Sequence, residues 1–461
     1  MEDLAQLAVE EALRLGASYA DIRIELYQRC RIEVSKGRIE RLSCGSDAGA
    51  GVRALVRGRW GFSSTTDLTR EGVKKAAEEA VRSALAMGEP KEPVELAEAK
   101  PVKARVVKLG AKRLEDTPLE EKLKITLDSD KAMTSYSPKV KSTTVLYEEA
   151  YGRKVFASSE GTLVETVGSR CYLSHTAVAR ENGRIQSYRT RAAAYGGLEK
   201  LLEQKPAEKA RKAAERACML LEAEAPPSGK MTVIADPEHI GVFVHEAVGH
   251  ACEADAVVAG ESCLAGKIGE KIGSDIVTIV DDSTLDWWGS EEYDDEGVKT
   301  ARRVLIEEGA LKSYMLNRES AFKLKMGPNG SARAMSFRHP PIVRMSNTYI
   351  QPGDYRFEEL LEDVSYGVYV KGSRGGQVDP AVGYFQFNAQ EAWLIEKGEL
   401  KKLLTDVSLS GLILETLKHI DAVGRDMELS VGFCGKAGQM VPVGDGGPHV
   451  RIREAVVGGR R

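Results

Sequence analysis

The period of the hydrophobic pattern changes several times along the chain, and each change marks an element. Leu4, Leu7, Ala8, Ala12 and Leu13 recur at helical spacing, so residues 2–15 are predicted as an amphipathic helix. The segments ADIRIEL, RIEVSKGRIERLS and GVRALVRGRWGF follow. They alternate apolar and polar positions with the period of two expected of half-buried strands. Lys36-Gly37 sits between two alternating runs and reads as a hairpin turn. Val73, Ala76, Ala77, Ala80, Val81 and Ala84 then restore a helical stripe, with Asp67 as the expected cap. These elements form a first α+β unit, placed at residues 1–88.

Residues 89–113 are rich in Pro, Lys and Glu and read as an extended linker with room for one short strand. A helix is expected to start at Thr117-Pro118, with Thr as the cap and Pro at the first helical position. Strand patterns occupy 140–192, and a helical pattern interrupted by Pro206 follows. Together these make a central α+β domain at 114–225, closed by Pro226-Pro227. The third unit, 229–461, opens with the apolar strand MTVIA and a helix beginning at Asp236-Pro237; its remainder is β-rich. IEEGALK (306–312) and IEKGELK (395–401) each place Gly between two alternating runs, as a hairpin requires. The fold class is therefore α+β, with layered N-terminal parts and a β-rich C-terminal domain that carries the helix at 236.

Composition narrows the function classes. A chain of 461 residues exceeds one core of usual size, and 42% hydrophobic with 29% charged residues describes a soluble globular protein. No apolar run approaches the ~18 residues of a membrane span, so no membrane partner is expected. The N-terminus lacks a basic region followed by a continuous apolar stretch, so the expected address is the cytoplasm. A net charge of −4 without a basic run gives no support for a nucleic-acid partner. The seven cysteines include no CxxC pair, so no disulfide framework is expected. Most of these thiols read as small buried hydrophobes.

The candidate chemistry lies in HEAVGHACEAD, residues 245–255. Ile240, Phe243, Val244, Ala247, Val248 and Ala251 define the apolar stripe of its helix, and His245, Glu246 and His250 all avoid that stripe. A histidine serving only the core would lie on it. The spacing, however, is five rather than the four of HExxH. On an ideal helix five residues leave the two imidazoles about 140° apart, against about 40° for four. One inserted residue, accommodated as a π-bulge, would restore convergence. Gly249 is expected to tolerate the irregular backbone. From these few residues alone, a metal site and a chance match remain alternatives. Glu253 and Asp255 read either as acceptors orienting an imidazole or as solvated carboxylates. Cys252 and Cys263 read as structural.

The acidic run DDSTLDWWGSEEYDDEG does not have the spacing of a calcium loop; it reads either as a site for a cation or a substrate's amino terminus or, in the main, as a solvated loop, with Trp287-Trp288 covering part of a cleft. GDGGPH, 444–449, precedes no helical pattern, so a phosphate loop is unsupported, and His449 reads as a turn or surface residue in preference to a group that stabilises an oxyanion.

HEAVGHACEAD resembles the metal-binding segment of the TldD/PmbA peptidase family, in its motif-bearing, TldD-like branch. GVRALVRGRWGFSSTTDL (51–68) is similar to the family's N-terminal signature, and IVDDSTLDWWGSEEYDDEG (279–297) to its acidic loop. RMSNTYI (344–350) and GFCGKAGQMVPVGDGGP (432–448) resemble its C-terminal signatures. These ordered matches span most of the chain. The resemblance implies a zinc-dependent peptidase with His245, His250 and Cys434 as metal ligands and Glu246 as general base. It implies unfolded or small peptides, including peptide precursors, as substrates. It also implies a heterodimer with a related subunit lacking the motif, or a homodimer. Taken without the resemblance, Cys434 is an ordinary buried cysteine. An unfolded peptide is expected to add along an exposed strand edge of the β-rich domain. Two other readings compete: a non-catalytic binding or regulatory subunit with a structural metal, and a hydrolase of another amide.

Overall fold

In the computed structural model, which describes residues 1–90 and 92–459, one seven-stranded sheet runs through the N-terminal and central segments. It is built on three long strands, Tyr19–Ser35, Arg38–Val56 and Val140–Ser158, with Leu163–Glu181 beyond. Tyr19–Ser35 lies between Arg38–Val56 and Val140–Ser158 and pairs antiparallel with both. ADIRIEL and RIEVS, expected as separate segments, belong to this one strand. The hairpin turn is where the alternation places it: Lys36 and Gly37 both take positive φ, 48° and 75°, the backbone of a two-residue turn.

Helices Glu2–Arg14 and Arg70–Ala86 cover one part of this sheet, burying Ala5, Ala8, Val9 and Ala12 and the stripe from Val73 to Ala84. The cap of the second helix is Thr69, whose Oγ1 accepts from Gly72 N at 3.1 Å. Asp67, the expected cap, instead holds Thr69 N. The third helix, Leu119–Thr134, starts one residue late, with Pro118 as its cap position. Thr117 turns its hydroxyl back to the Arg113 carbonyl. Pro206 begins a new helix, Pro206–Met219, after the short Leu198–Leu202. The linker contains the short strand Lys103–Lys108, which joins the sheet beside Leu163–Glu181.

The C-terminal part has a six-stranded and a nine-stranded sheet with the largest core cluster between them. Glu308-Gly309 and Lys397-Gly398 take positive φ in the two hairpins read from the sequence. Gln439–Gly447 in the six-stranded sheet pairs parallel with Asn347–Ile350 and antiparallel with Glu428–Lys436, the last strand of that sheet. Helix Pro237–Phe243 lies directly on Gln439–Gly447. A β-carbon on Gly241 would sit 2.5 Å from Gly446 N, so only glycine permits this approach.

Two expectations are corrected. Cys30 and Cys44 are joined by a disulfide across the first hairpin. The acidic run is not a solvated loop: Asp281, Asp282, Asp294, Asp295 and Glu296 are all buried. Asp281 accepts from Ser346 N at 2.8 Å and pairs with Arg303. Asp294 caps Glu296 N and Val298 N, and Asp295 binds Lys154 at 2.7 Å. Glu296 binds Arg53 at 3.1 Å and Arg318 N at 2.8 Å. Burying these charges is tolerable only because each finds a partner. Two of those partners, Arg53 and Lys154, come from the N-terminal sheet, so the run ties that sheet to the C-terminal part.

Candidate metal centre

Asp236 caps the helix of the motif, its carboxylate accepting from His239 N at 2.8 Å, and Pro237 occupies the first helical position. The α-helix ends at Phe243, and Val244–Gly249 is a π-helix, followed by a short 3₁₀ turn His250–Cys252. The wider turn absorbs the extra residue between the histidines, and their ring centroids come to 5.3 Å. Gly249 serves differently from its expected role. Its backbone is helical, with φ −56° and ψ −58°. A β-carbon there would lie 2.0 Å from Met345 Sδ, so glycine makes room for a neighbour.

Cys434 arrives from Glu428–Lys436, on the inward-facing side of that strand, and is buried. Its approach is fixed by neighbours on the strand edge. Trp287 Nε1 donates to Ser430 O at 3.1 Å, Trp288 Nε1 to Gly432 O at 2.9 Å, and buried Arg344 to Cys434 O. These three donors occupy successive alternate carbonyls, so this edge is closed to an added peptide strand.

The structure brings together His245, His250 and Cys434, one ligand atom of each lying within 4.8 Å of the others. With Zn–S about 2.3 Å and Zn–N about 2.0–2.1 Å, a tetrahedral zinc separates a sulfur and a nitrogen ligand by roughly 3.6 Å. Cys434 Sγ lies 3.6 Å from His250 Nε2. Two imidazoles and a thiol are also a donor set suited to zinc. Glu246 stands beside them, its Oε2 3.6 Å from His250 Nε2, with a side chain 32% exposed.

The three donors are electrostatically coupled. Burial alone would depress the His245 imidazole, but the Cys434 sulfur and Glu246 raise it to about 9. Burial would likewise raise the Cys434 thiol, yet the two imidazoles hold it at about 5. Burial works against the His250 imidazolium too, but Glu253 and Cys434 push its pKa well above the usual value. Glu253 is buried and accepts from His250 Nδ1 at 2.8 Å, so it fixes that ring with Nε2 toward the sulfur. Asp255, the other carboxylate considered, pairs with Lys436 at 2.7 Å, and Lys436 also reaches Glu253 at 3.1 Å.

The remaining sequence candidates lie elsewhere. Cys252 is fully buried in the core, which raises its thiol pKa, and Cys263 is half-buried. His449 binds Tyr369 Oη at 2.8 Å and pairs with Asp426. Sequence reasoning missed Lys436, Arg344 and the two indoles as positioning groups. Their roles depend on contacts across 90 or more residues, for which the chain carries no local signal.

Comparison with known proteins gives the family of the chain. Three family models cover the chain: PmbA/TldA metallopeptidase domain 1 at residues 20–84, the central domain at 112–221 and the C-terminal domain at 228–459. A protein named metalloprotease from Methanothermobacter thermautotrophicus is 45% identical, covering 96% of this chain and 95% of its own length. A protein named zinc metalloprotease TldD homolog from Saccharolobus solfataricus is 31% identical over 98% of this chain and 99% of its own. Among solved structures, TldE from Thermococcus kodakarensis superposes with a TM-score of 0.76 at 20% identity, covering 99% of this chain and 100% of its own, a likeness of fold.

Proposed function

The chain belongs to the PmbA/TldD metallopeptidase family, and on that premise we propose that it is a zinc-dependent peptidase acting on unfolded or small peptides. His245, His250 and Cys434 hold the ion, and Glu246 is the general base. One observation carries the reading. Three donors from a widened helical turn and a distant strand converge within 4.8 Å of one another, one sulfur–nitrogen pair at 3.6 Å, with a carboxylate beside them that is partly open to solvent.

When bound, zinc would polarise both a water and the scissile carbonyl. The chain's own groups do the rest. Glu246 adjoins ligand His245 in sequence and lies within reach of His250 Nε2, so its carboxylate can take the proton from the attacking water. The same carboxyl group can pass that proton to the departing amine nitrogen. Glu253 holds the His250 ring so that Nε2 remains free of a proton for the ion. Trp287, Trp288 and Arg344 keep the Cys434 strand in place. The strand edge they close is not the peptide path. On the same reading the chain pairs with a related subunit lacking the motif, or with a second copy of itself.

A partly exposed Glu246 favours catalysis over a purely structural metal, since a closed site needs no base. The test is Glu246→Gln. It should keep one zinc per chain and lose peptide hydrolysis by at least about a hundredfold, the range of a general base. Hydrolysis at the wild-type rate would remove Glu246 from the mechanism. Loss of zinc would show that its role is structural.

A further inference from the structure

A cavity of about 350 Å³ lies between the central segment and the C-terminal part, at the first turn of the motif helix. Its two walls carry opposite charge. Arg189 and Arg191 on strand Arg184–Tyr195, with Lys209 and Lys212 on helix Pro206–Met219, line one side. Asp236, Glu238 and Glu428 lie on the other, with Lys371 the one cation among them. Alternation along the strand puts Arg189 and Arg191 on one face.

The basic wall is poorly compensated. Arg191 approaches Glu238 only to 3.9 Å. Lys209 Nζ donates to the Arg191 carbonyl, a neutral partner, at 2.9 Å. Arg189, Lys209 and Lys212 form no ion pair among the described residues, although the last two sit on the same helix. Burial and the neighbouring Arg191 lower the Arg189 guanidinium, and burial and Lys212 lower the Lys209 ammonium. Like charges gathered around a partly desolvated cavity repel one another, and an anionic ligand relieves that repulsion.

The cavity is also in register with the metal centre. Glu238 in the first α-helical turn and Glu246 in the widened turn are eight residues apart along one continuous helical segment, which at about 1.5 Å per residue or slightly less is roughly 10–12 Å. An extended peptide covers that distance in about three to four residues.

We propose that this cavity is a carboxylate-binding subsite, in which Arg189, Lys209 and Lys212 hold a carboxylate of the peptide substrate about three to four residues from the scissile bond. The inference rests on the peptidase reading above and adds the charge of the substrate. The carboxylate is either the peptide's C-terminus or an acidic side chain, and both present the same oxygens to the cations.

The test separates these sources and stands apart from catalysis. Zinc-loaded Glu246→Gln protein is titrated calorimetrically with three forms of one otherwise neutral peptide: C-terminal amide, C-terminal free acid, and amide with one Glu at each position in turn. The free acid or one Glu peptide should bind at least about tenfold more tightly than the neutral amide, the least expected of one charge-assisted hydrogen bond. A free-acid advantage assigns the C-terminus, and an advantage confined to one Glu position assigns a side chain. In Arg189→Ala/Lys212→Ala, two residues at the solvent-open rim of the cavity, the affinity ratio should fall toward one and the melting temperature should stay close to that of the parent. Equal affinity for all three forms, or no binding of any, overturns the subsite. Failure of the peptidase reading shows separately, as absent hydrolysis of every peptide by the wild-type protein.

Discussion

Removing the carboxylate behind His250 should weaken zinc binding by a calculable amount. Glu253 is 1% exposed, and its Oε2 lies 2.8 Å from His250 Nδ1 and 3.1 Å from Lys436 Nζ. In Glu253→Ala the imidazole loses its acceptor and can rotate, and its Nδ1–H is left buried without a partner. A lost outer acceptor typically costs 10–100-fold in metal affinity, about 1.4–2.8 kcal/mol. Glu253→Gln keeps an acceptor but removes the charge, so its loss should be smaller, about 1 kcal/mol or roughly fivefold. Lys436 limits the collateral damage, because Asp255 still holds it at 2.7 Å. The assay is competition for zinc against a chelator of known affinity, using apo-protein whose melting has been checked by circular dichroism. The expected order is wild type, then Gln, then Ala. A folded Glu253→Ala protein that binds zinc as tightly as wild type would refute the assignment of Glu253 as the group that orients His250.

Two further changes probe the same helix. Gly249→Ala would gain helix propensity, but its methyl would overlap Met345 Sδ in a fully buried core. The overlap should dominate and destabilise by about 1–3 kcal/mol in urea unfolding, and a more stable variant would contradict the packing argument. Asp236 is an acid whose carboxyl is raised to about 7, by burial first and by Glu238 next. The folded state therefore holds its proton more tightly than the unfolded chain, so this group's contribution to stability falls as pH rises from about 4 to 7. Each pH unit costs about 1.4 kcal/mol, or up to about 4 kcal/mol across the window. Asp236→Asn keeps an N-cap acceptor and should flatten that decline, seen as a smaller difference between urea midpoints at pH 5 and pH 8. An unchanged difference would assign the pH dependence to other groups.

The motif helix was legible in the sequence because its evidence is local. The cap at Asp236, the apolar stripe and the off-stripe histidines are all read from about fifteen neighbouring residues, and the five-residue spacing itself demands a widened turn. The structure supplies that turn at Val244–Gly249. Cys434 was different: it is one inward-facing residue of a strand 184 positions from His250, and only family resemblance singled it out. The acidic run was misread because its partners Arg53 and Lys154 lie more than a hundred residues away in the chain, and nothing local shows that nearby Arg303 turns back onto Asp281. The Cys30–Cys44 bridge was hidden by one bulge. The turn register, Ser35 opposite Arg38, would set Cys30 against Ser43, and the shift between Glu33 and Val34 moves it to Cys44. Gly249 shows that a correct identity can be noticed for the wrong reason, since glycine admits a sulfur there rather than an unusual backbone.

The central claim concerns one ion and three donors, and X-ray absorption at the zinc edge of the purified, zinc-loaded protein tests it most directly. The spectrum should show one sulfur at about 2.3 Å and two imidazole nitrogens at about 2.0–2.1 Å, with the sulfur shell absent in Cys434→Ser. A wild-type spectrum without sulfur, or a sulfur shell that survives that substitution, would contradict the account.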